Sequence, residues 1–174
     1  MGALLVSSKG IERIKKETKK LEKILKVKIS IEGNYVSVEG EAIDEYHAEE
    51  VMKAMSAGFD SKTSLFLLNE DIMMEEINIR SYTKHNRLKQ VKARVIGAGG
   101  RALKTISSLS ECYLKLLDNT IFAIGRTEDV KNLRNAMIAL IKGSNHSNVY
   151  SRLEHRPDFN EEELTIIPEK KNKK

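Results

Sequence analysis

Tryptophan is absent from the sequence, cysteine occurs once, proline twice, and aromatic residues make up 5% of 174 positions. A lone cysteine, Cys112, excludes an internal disulfide framework and a cysteine-based metal site. So few aromatic rings leave the core to aliphatic side chains. Long apolar runs are missing too: residues 3–6 are too short for a signal peptide or a membrane span. Val6 stands where the myristoylation pattern requires Ser or Thr. The chain is therefore expected to be soluble and cytoplasmic, with no membrane partner. His47, His85, His146 and His155 lack ligand spacing, and no carboxylate pair or nucleophile with its base stands out. No metal, no cofactor and no enzymatic activity are expected.

What is present is charge. Thirty Lys and Arg against 25 Asp and Glu give a net charge of +5 and a pI near 9.2, a balance that favours polyanionic partners. Hydrophobic residues at 40% and charged residues at 32% describe a globular protein. Its length allows one ordinary domain or two small ones.

The second reading is supported by an internal repeat. Residues 11–58 lie over residues 96–143 without a gap, an offset of 85. Ile11/Ile96, Lys19/Lys104, Asn34/Asn119, Gly40/Gly125, Asp44/Asp129, Met52/Met137, Ala54/Ala139 and Gly58/Gly143 are identical at that offset. In each copy an apolar-periodic segment precedes two strands and a longer helix. Strands are expected over 27–32 and 35–39, and over 112–117 and 120–124, with Gly33-Asn34 and Asp118-Asn119 as hairpin turns. The long helices carry stripes through Val51, Met52 and Met55, and through Val130, Leu133 and Met137. Asp44 and Thr127 are their expected N-caps, with Gly58 and Gly143 as stops. A helix capped by Ser61 is expected to join the copies over 61–74, and Ile77 and Ile79 to lie on the opening strand of the second. One more helical stretch is expected within 144–156. The final residues, 157–174, hold both prolines, an acidic run and a lysine-rich end, and read as a flexible tail.

One segment breaks the repeat. VIGAGGRALKTI, residues 95–106, places three glycines between a cationic and an apolar-periodic stretch, and the first copy has Glu12-Arg13-Ile14-Lys15 in place of Gly97-Ala98-Gly99-Gly100. Glycine lets backbone approach a ligand closely, and a turn that opens a helix aims N–H groups at an anion. The expected ligand is a phosphate. Read as G-x-G-x-x-A, residues Gly97, Gly99 and Ala102 match a dinucleotide fingerprint, with Asp118 placed to hold a ribose. That fingerprint needs a buried parallel strand before it. The preceding RLKQVKARV has Leu88, Val91 and Val95 at helical spacing, and the loop is followed by a hairpin, not a crossover unit.

Read as G-x-x-G between two short helices and ahead of a hairpin, the segment resembles a KH domain. The pattern I-G-x-x-G-x-x-I-x-x-I is matched by Ile96, Gly97, Gly100, Leu103 and Ile106, followed by Leu114 and Leu116 on a strand. It departs at Leu103, where Ile is usual, and at Ser110-Glu111-Cys112, where Thr-Gly-Ala is commoner. The resemblance implies that Gly97, Ala98, Gly99 and Gly100 meet phosphates, with added charge from Arg101 and Lys104 on one side and Lys92 and Arg94 on the other. The alternative for each of these cations is a place on a solvated helix face. Ile96, Leu103 and Ile106 line the base groove or serve the core.

A copy without its glycines followed by an intact one, AMSAGFDSKTSLFLL between them and GSNHSNVYSRL after, is similar to a narrower family, the KH ribosome assembly factors known as partner of Nob one, in their short archaeal form. The similarity covers roughly residues 4–156. It implies an α+β fold of two tandem type I KH modules, each a small three-stranded antiparallel sheet with helices on one face. The modules would be a degenerate one over 1–60 and an intact one over 75–156. It further implies a monomer that binds single-stranded RNA near the 3′ end of small-subunit pre-rRNA during maturation, alongside an rRNA-processing endonuclease and other assembly proteins. Action on other cellular RNA is the alternative. The first copy is expected to act as a scaffold with a protein-binding surface, although Lys15, Lys16, Lys19, Lys20, Lys23 and Lys26 leave nonspecific phosphate contacts open.

Overall fold

The computed structural model describes residues 2–154; the tail expected over 157–174, and His155, lie outside the described residues. Strand β1 (Ala3–Leu5) leads into helix α1 (Ser8–Leu25). Ser7 caps that helix, its side chain accepting from the Gly10 amide at 3.2 Å. Ile11, Ile14, Leu21 and Leu25 are buried along one stripe of α1, while its lysines face outward. Strands β2 (Lys28–Glu32) and β3 (Tyr35–Glu39) follow, then helix α2 (Ala42–Ala57). Helix α3 (Ser61–Ser64) and a 3-10 turn at Leu65–Leu68 connect to the second half.

There the order is β4 (Ile72–Asn78), α4 (Leu88–Ile96), α5 (Arg101–Ser110), β5 (Tyr113–Leu117), β6 (Thr120–Arg126), α6 (Thr127–Lys142) and α7 (His146–Glu154). Both sheets are antiparallel and three-stranded, ordered β1-β3-β2 and β4-β6-β5. The architecture is α+β.

The repeat in sequence is a repeat in backbone. Lys26 and Glu111 both end a helix in the left-handed region, Gly33 and Asp118 both turn a hairpin there, and Gly58 and Gly143 both close a long helix there. All three pairs keep the offset of 85. The shared glycines have a shared reason. A Cβ on Gly40 would meet Val27 Cγ1 at 2.9 Å, and one on Gly125 would meet Cys112 Sγ at 2.7 Å; Val27 and Cys112 are themselves related by 85.

The halves differ between opening strand and helix. Leu4 pairs with Val36, and Ile77 with Ile121. Val36 and Ile121 keep the offset, but Leu4 and Ile77 are only 73 apart, so the first half is twelve residues shorter here. It lacks α4 and the loop together, and α1 runs unbroken through residues 12–15. The expected loss of glycines is thus the loss of a helix and a turn.

The second sheet is covered on both faces. Ile77, Ile121 and Ala123 pack under the helices, while Ile72 and Ile124 join Ala54, Ala57 and Phe59 in a seam between the halves. Phe66 stacks on Tyr113 with ring centroids 5.9 Å apart. Covering both faces hides the period-two pattern of β4 in the sequence; the strand starts at Ile72, inside the connection expected to be helical over 61–74, which is helical only to Leu68. Ile79 lies in a 3-10 turn.

Three caps are corrected. Asp60, not Ser61, caps α3, accepting from the Thr63 amide at 2.9 Å; burial pushes the Asp60 carboxyl up, but bonds from Thr63 outweigh it and hold the group below its usual range. Buried Ser61 donates to Glu17. Glu41, not Asp44, precedes α2, where Asp44 lies within the first turn; Arg126, not Thr127, precedes α6, and Thr127 is taken up by the Asp71 carbonyl, to which its amide donates at 3.0 Å.

Phe59 is 2% exposed at the centre of the seam. Phe59→Ala is expected to cost about 3–5 kcal/mol and to split a single calorimetric transition into two. One unshifted transition would show that the seam does not join the halves.

Candidate nucleic-acid interface

Helix α4 buries Val91 and Val95 and stops at Gly97, whose φ of 72° and ψ of 174° lie in a region reserved for glycine. Its amide donates to the Ala93 carbonyl at 2.9 Å, and Gly100 donates to the Gly97 carbonyl at 3.2 Å. Gly99 and Gly100 follow at φ 60° and 77°. The three glycines answer to different demands. A Cβ on Gly97 would meet Ala102 Cβ at 2.6 Å and its amide nitrogen at 2.8 Å, whereas one on Gly99 or Gly100 would meet nothing within 4 Å. Gly97 is glycine because α5 starts against it. Gly99 and Gly100 are glycine because of their φ, and they face open space.

No side chain caps α5, and the amides of Ala98 and Gly99 take no part in the turn's hydrogen bonds. An uncapped helix start with unused amides is suited to an anion. Exposed Arg101 and Lys104 extend from α5, and half-buried Lys92 from α4. Lys89, exposed one turn before Lys92, belongs with them and was not singled out as a site residue from sequence; its place in the same cationic segment was the available signal.

Two expected site residues are placed elsewhere. Ile106 is fully buried in the core of the second half. Arg94 donates to the Ser144 carbonyl, and its own carbonyl lies 2.9 Å from His146 Nε2; it ties α4 to the α6–α7 junction instead of projecting toward the loop. Half-buried Ile96 lies beside the turn. Half-buried Leu103 of α5, with Leu114 and Leu116 of edge strand β5, completes the nearby aliphatic surface. A flat ring or base edge could rest there while phosphates meet the loop. The dinucleotide reading fails on the flanks: a helix, not a strand, precedes the glycines, and the sheet is antiparallel.

The chain is similar to known proteins over both halves. Residues 73–158 match the family model for the second domain of PNO1 proteins, described as a eukaryotic type KH-domain (KH-domain type I). A KH domain-containing protein of Methanocaldococcus jannaschii is 28% identical over 158 residues, 87% of this chain and 67% of that one. The RNA-binding protein pno1 of Drosophila pseudoobscura is 32% identical over 59% of this chain and 44% of its own. The pre-rRNA-processing protein PNO1 of Phaeosphaeria nodorum is 28% identical over 60% and 41%. The chain therefore spans less than half the length of the fly and fungal relatives. Among solved structures, Dim2p from Pyrococcus horikoshii superposes with a TM-score of 0.79 at 25% identity, covering 89% of this chain and 98% of that one. A chain of the a/eIF2alpha-aDim2p-rRNA complex from the same organism gives 0.78 at 25% identity, over 88% and 91%.

The two kinds of glycine separate on substitution. Gly97→Ala is expected to cost about 3 kcal/mol or more in urea unfolding, backbone strain plus collision, and Gly99→Ala about 1–2 kcal/mol. Equal losses would contradict the division.

Proposed function

The chain belongs to the PNO1 family of KH-domain proteins, and from that premise we propose that its second half grips single-stranded RNA at residues 97–100, near the 3′ end of small-subunit pre-rRNA, in support of its maturation. Relatives that carry the names RNA-binding protein and pre-rRNA-processing protein support this reading, as does a similar chain found in a complex with rRNA. The observation that carries it is local: Gly99 and Gly100 present bare backbone to open space, and the amides of Ala98 and Gly99 have no hydrogen bond among the described residues, in one half only.

In this reading the loop amides and Lys89, Lys92, Arg101 and Lys104 hold sugar-phosphate, which gives affinity without sequence information. Leu103, Leu114 and Leu116 meet bases, which gives modest specificity. No catalytic step is assigned; the protein positions an RNA end for other factors. The first half is read as a degenerate KH module that serves as a scaffold. With α1 continuous, the amides of residues 12–15 are spent on helix bonds, Ile14 is in the core, and Arg13 donates to the Met55 carbonyl at 3.2 Å. Its free surface is open to protein partners, an rRNA-processing endonuclease and other assembly proteins among them.

The double variant Gly99→Asp/Gly100→Asp sets two carboxylates against the phosphates. Fluorescence anisotropy with an rRNA 3′-end oligonucleotide is expected to show at least a roughly tenfold loss of affinity, with cooperative melting retained. Unchanged affinity would remove the loop from the interface. Equal wild-type affinity for an unrelated strand of the same length would turn the reading toward a general RNA clamp.

A further inference from the structure

A cavity of about 380 Å³ opens along α4 where that helix meets the end of α6, and Lys84, Arg87, Arg94 and Lys142 line it beside Tyr82 and Gln90. No carboxylate is among the lining residues. Two of the four cations have an internal use. Arg94 is bonded to the Ser144 carbonyl, and the Lys142 ammonium lies 5.9 Å from the centroid of the Tyr82 ring, at the end of α6 where a cation suits the helix dipole. Lys84 and Arg87 have no ion pair among the described residues. Like charges that converge in a recess without acid partners repel each other and focus positive potential into it. An anion removes that repulsion.

The cavity and the loop lie toward opposite ends of α4. Arg87, just before the helix, and Gln90, Val91 and Arg94 within it share the face that turns toward the end of α6. At 1.5 Å per residue, Arg87 and Gly97 are about 15 Å apart along the axis, within reach of one extended strand. The geometry points to this cavity as a second phosphate-binding site, which holds the backbone of the same RNA strand beyond the roughly four nucleotides clamped at the loop. This site rests on the RNA reading above, and it extends that reading from one contact to a track.

The test uses the full chain and the double variant Lys84→Gln/Arg87→Gln, with two RNA probes in fluorescence anisotropy. One is a tetranucleotide that fills only the loop site; the other, about 12 nucleotides long, carries the same four at its centre. Tetranucleotide affinity is expected to stay within about twofold of wild type. Affinity for the long probe is expected to fall roughly tenfold or more, and the slope of log K against log salt to flatten by about 1.4, the release of two phosphates from single-stranded RNA. The proposal is overturned if the long probe keeps its affinity and slope, or if both probes weaken equally. Inorganic phosphate is the third arm: saturable protection of the wild type against thermal unfolding, absent in the variant, together with unchanged long-probe binding, would assign the cavity to a free anion and overturn the RNA track. Failure of the loop reading looks different: wild type would then bind the tetranucleotide no better than Gly99→Asp/Gly100→Asp does.

Discussion

The structure turns on a backbone bend that only glycine can make. At Gly97 the chain must leave α4 and start α5 within van der Waals distance of itself, and Ala102 occupies the space a side chain would need. That contact sets the angle between the two helices and hence the direction in which the next amides point. With the bend in place, Gly99 and Gly100 turn outward and α5 begins without a cap. Without it, as in the first half, the same region of the repeat is one straight helix whose donors are satisfied internally. Two halves of like topology thus differ in whether this stretch of the repeat leaves a backbone donor for a ligand.

The outward turn weakens its own half. Three glycines at positive φ, an uncapped helix and neighbouring cations each lower stability by roughly 0.5–1 kcal/mol or more. The seam offsets this. By covering the free face of the second sheet with Phe59, Phe66 and the end of α2, the first half provides buried apolar area that a sheet with helices on one face would lack. The first sheet receives no such cover: Leu5 and Tyr35, paired across β1 and β3, are 65% and 53% exposed. The seam buries apolar area on both halves, but only the second sheet gains a cover over its free face.

Much of this was legible in sequence. The offset of 85 was visible in eight identities, and the structure gives reasons for several: Gly58 and Gly143 adopt the same left-handed cap, and Gly40 and Gly125 avoid the same neighbour. The hairpins and long helices follow from period and turn chemistry. What could not be read was set by tertiary contact. The two-sided burial of β4 erased its alternation. Ile106 and Leu103 look alike in a heptad-like pattern, but only Leu103 lies toward the surface, because the rotation of α5 about its axis is fixed by Ala102 against Gly97. Arg94 reads as one more cation in a basic run, until the chain returns fifty residues later to offer it a carbonyl at Ser144.

The missing twelve residues in the first half explain why its many lysines do not recreate the site. Charge alone places counter-ions near a helix, with strength that fades over a Debye length of about 8 Å in physiological salt. A grip on sugar-phosphate also needs donors fixed in direction, and on the outer face of α1 there are none, since every amide in mid-helix already serves the carbonyl four residues back. The lysines of α1 can attract a polyanion but cannot orient it. In the second half, cations and unused amides occur together within one turn of Gly97, so in the proposed reading attraction and orientation act on the same phosphate. Loss of α4 and its turn removes the second ingredient while leaving the first, which is why a surplus of Lys and Arg, carried by α1 as well as by α4 and α5, says so little about which half offers oriented donors.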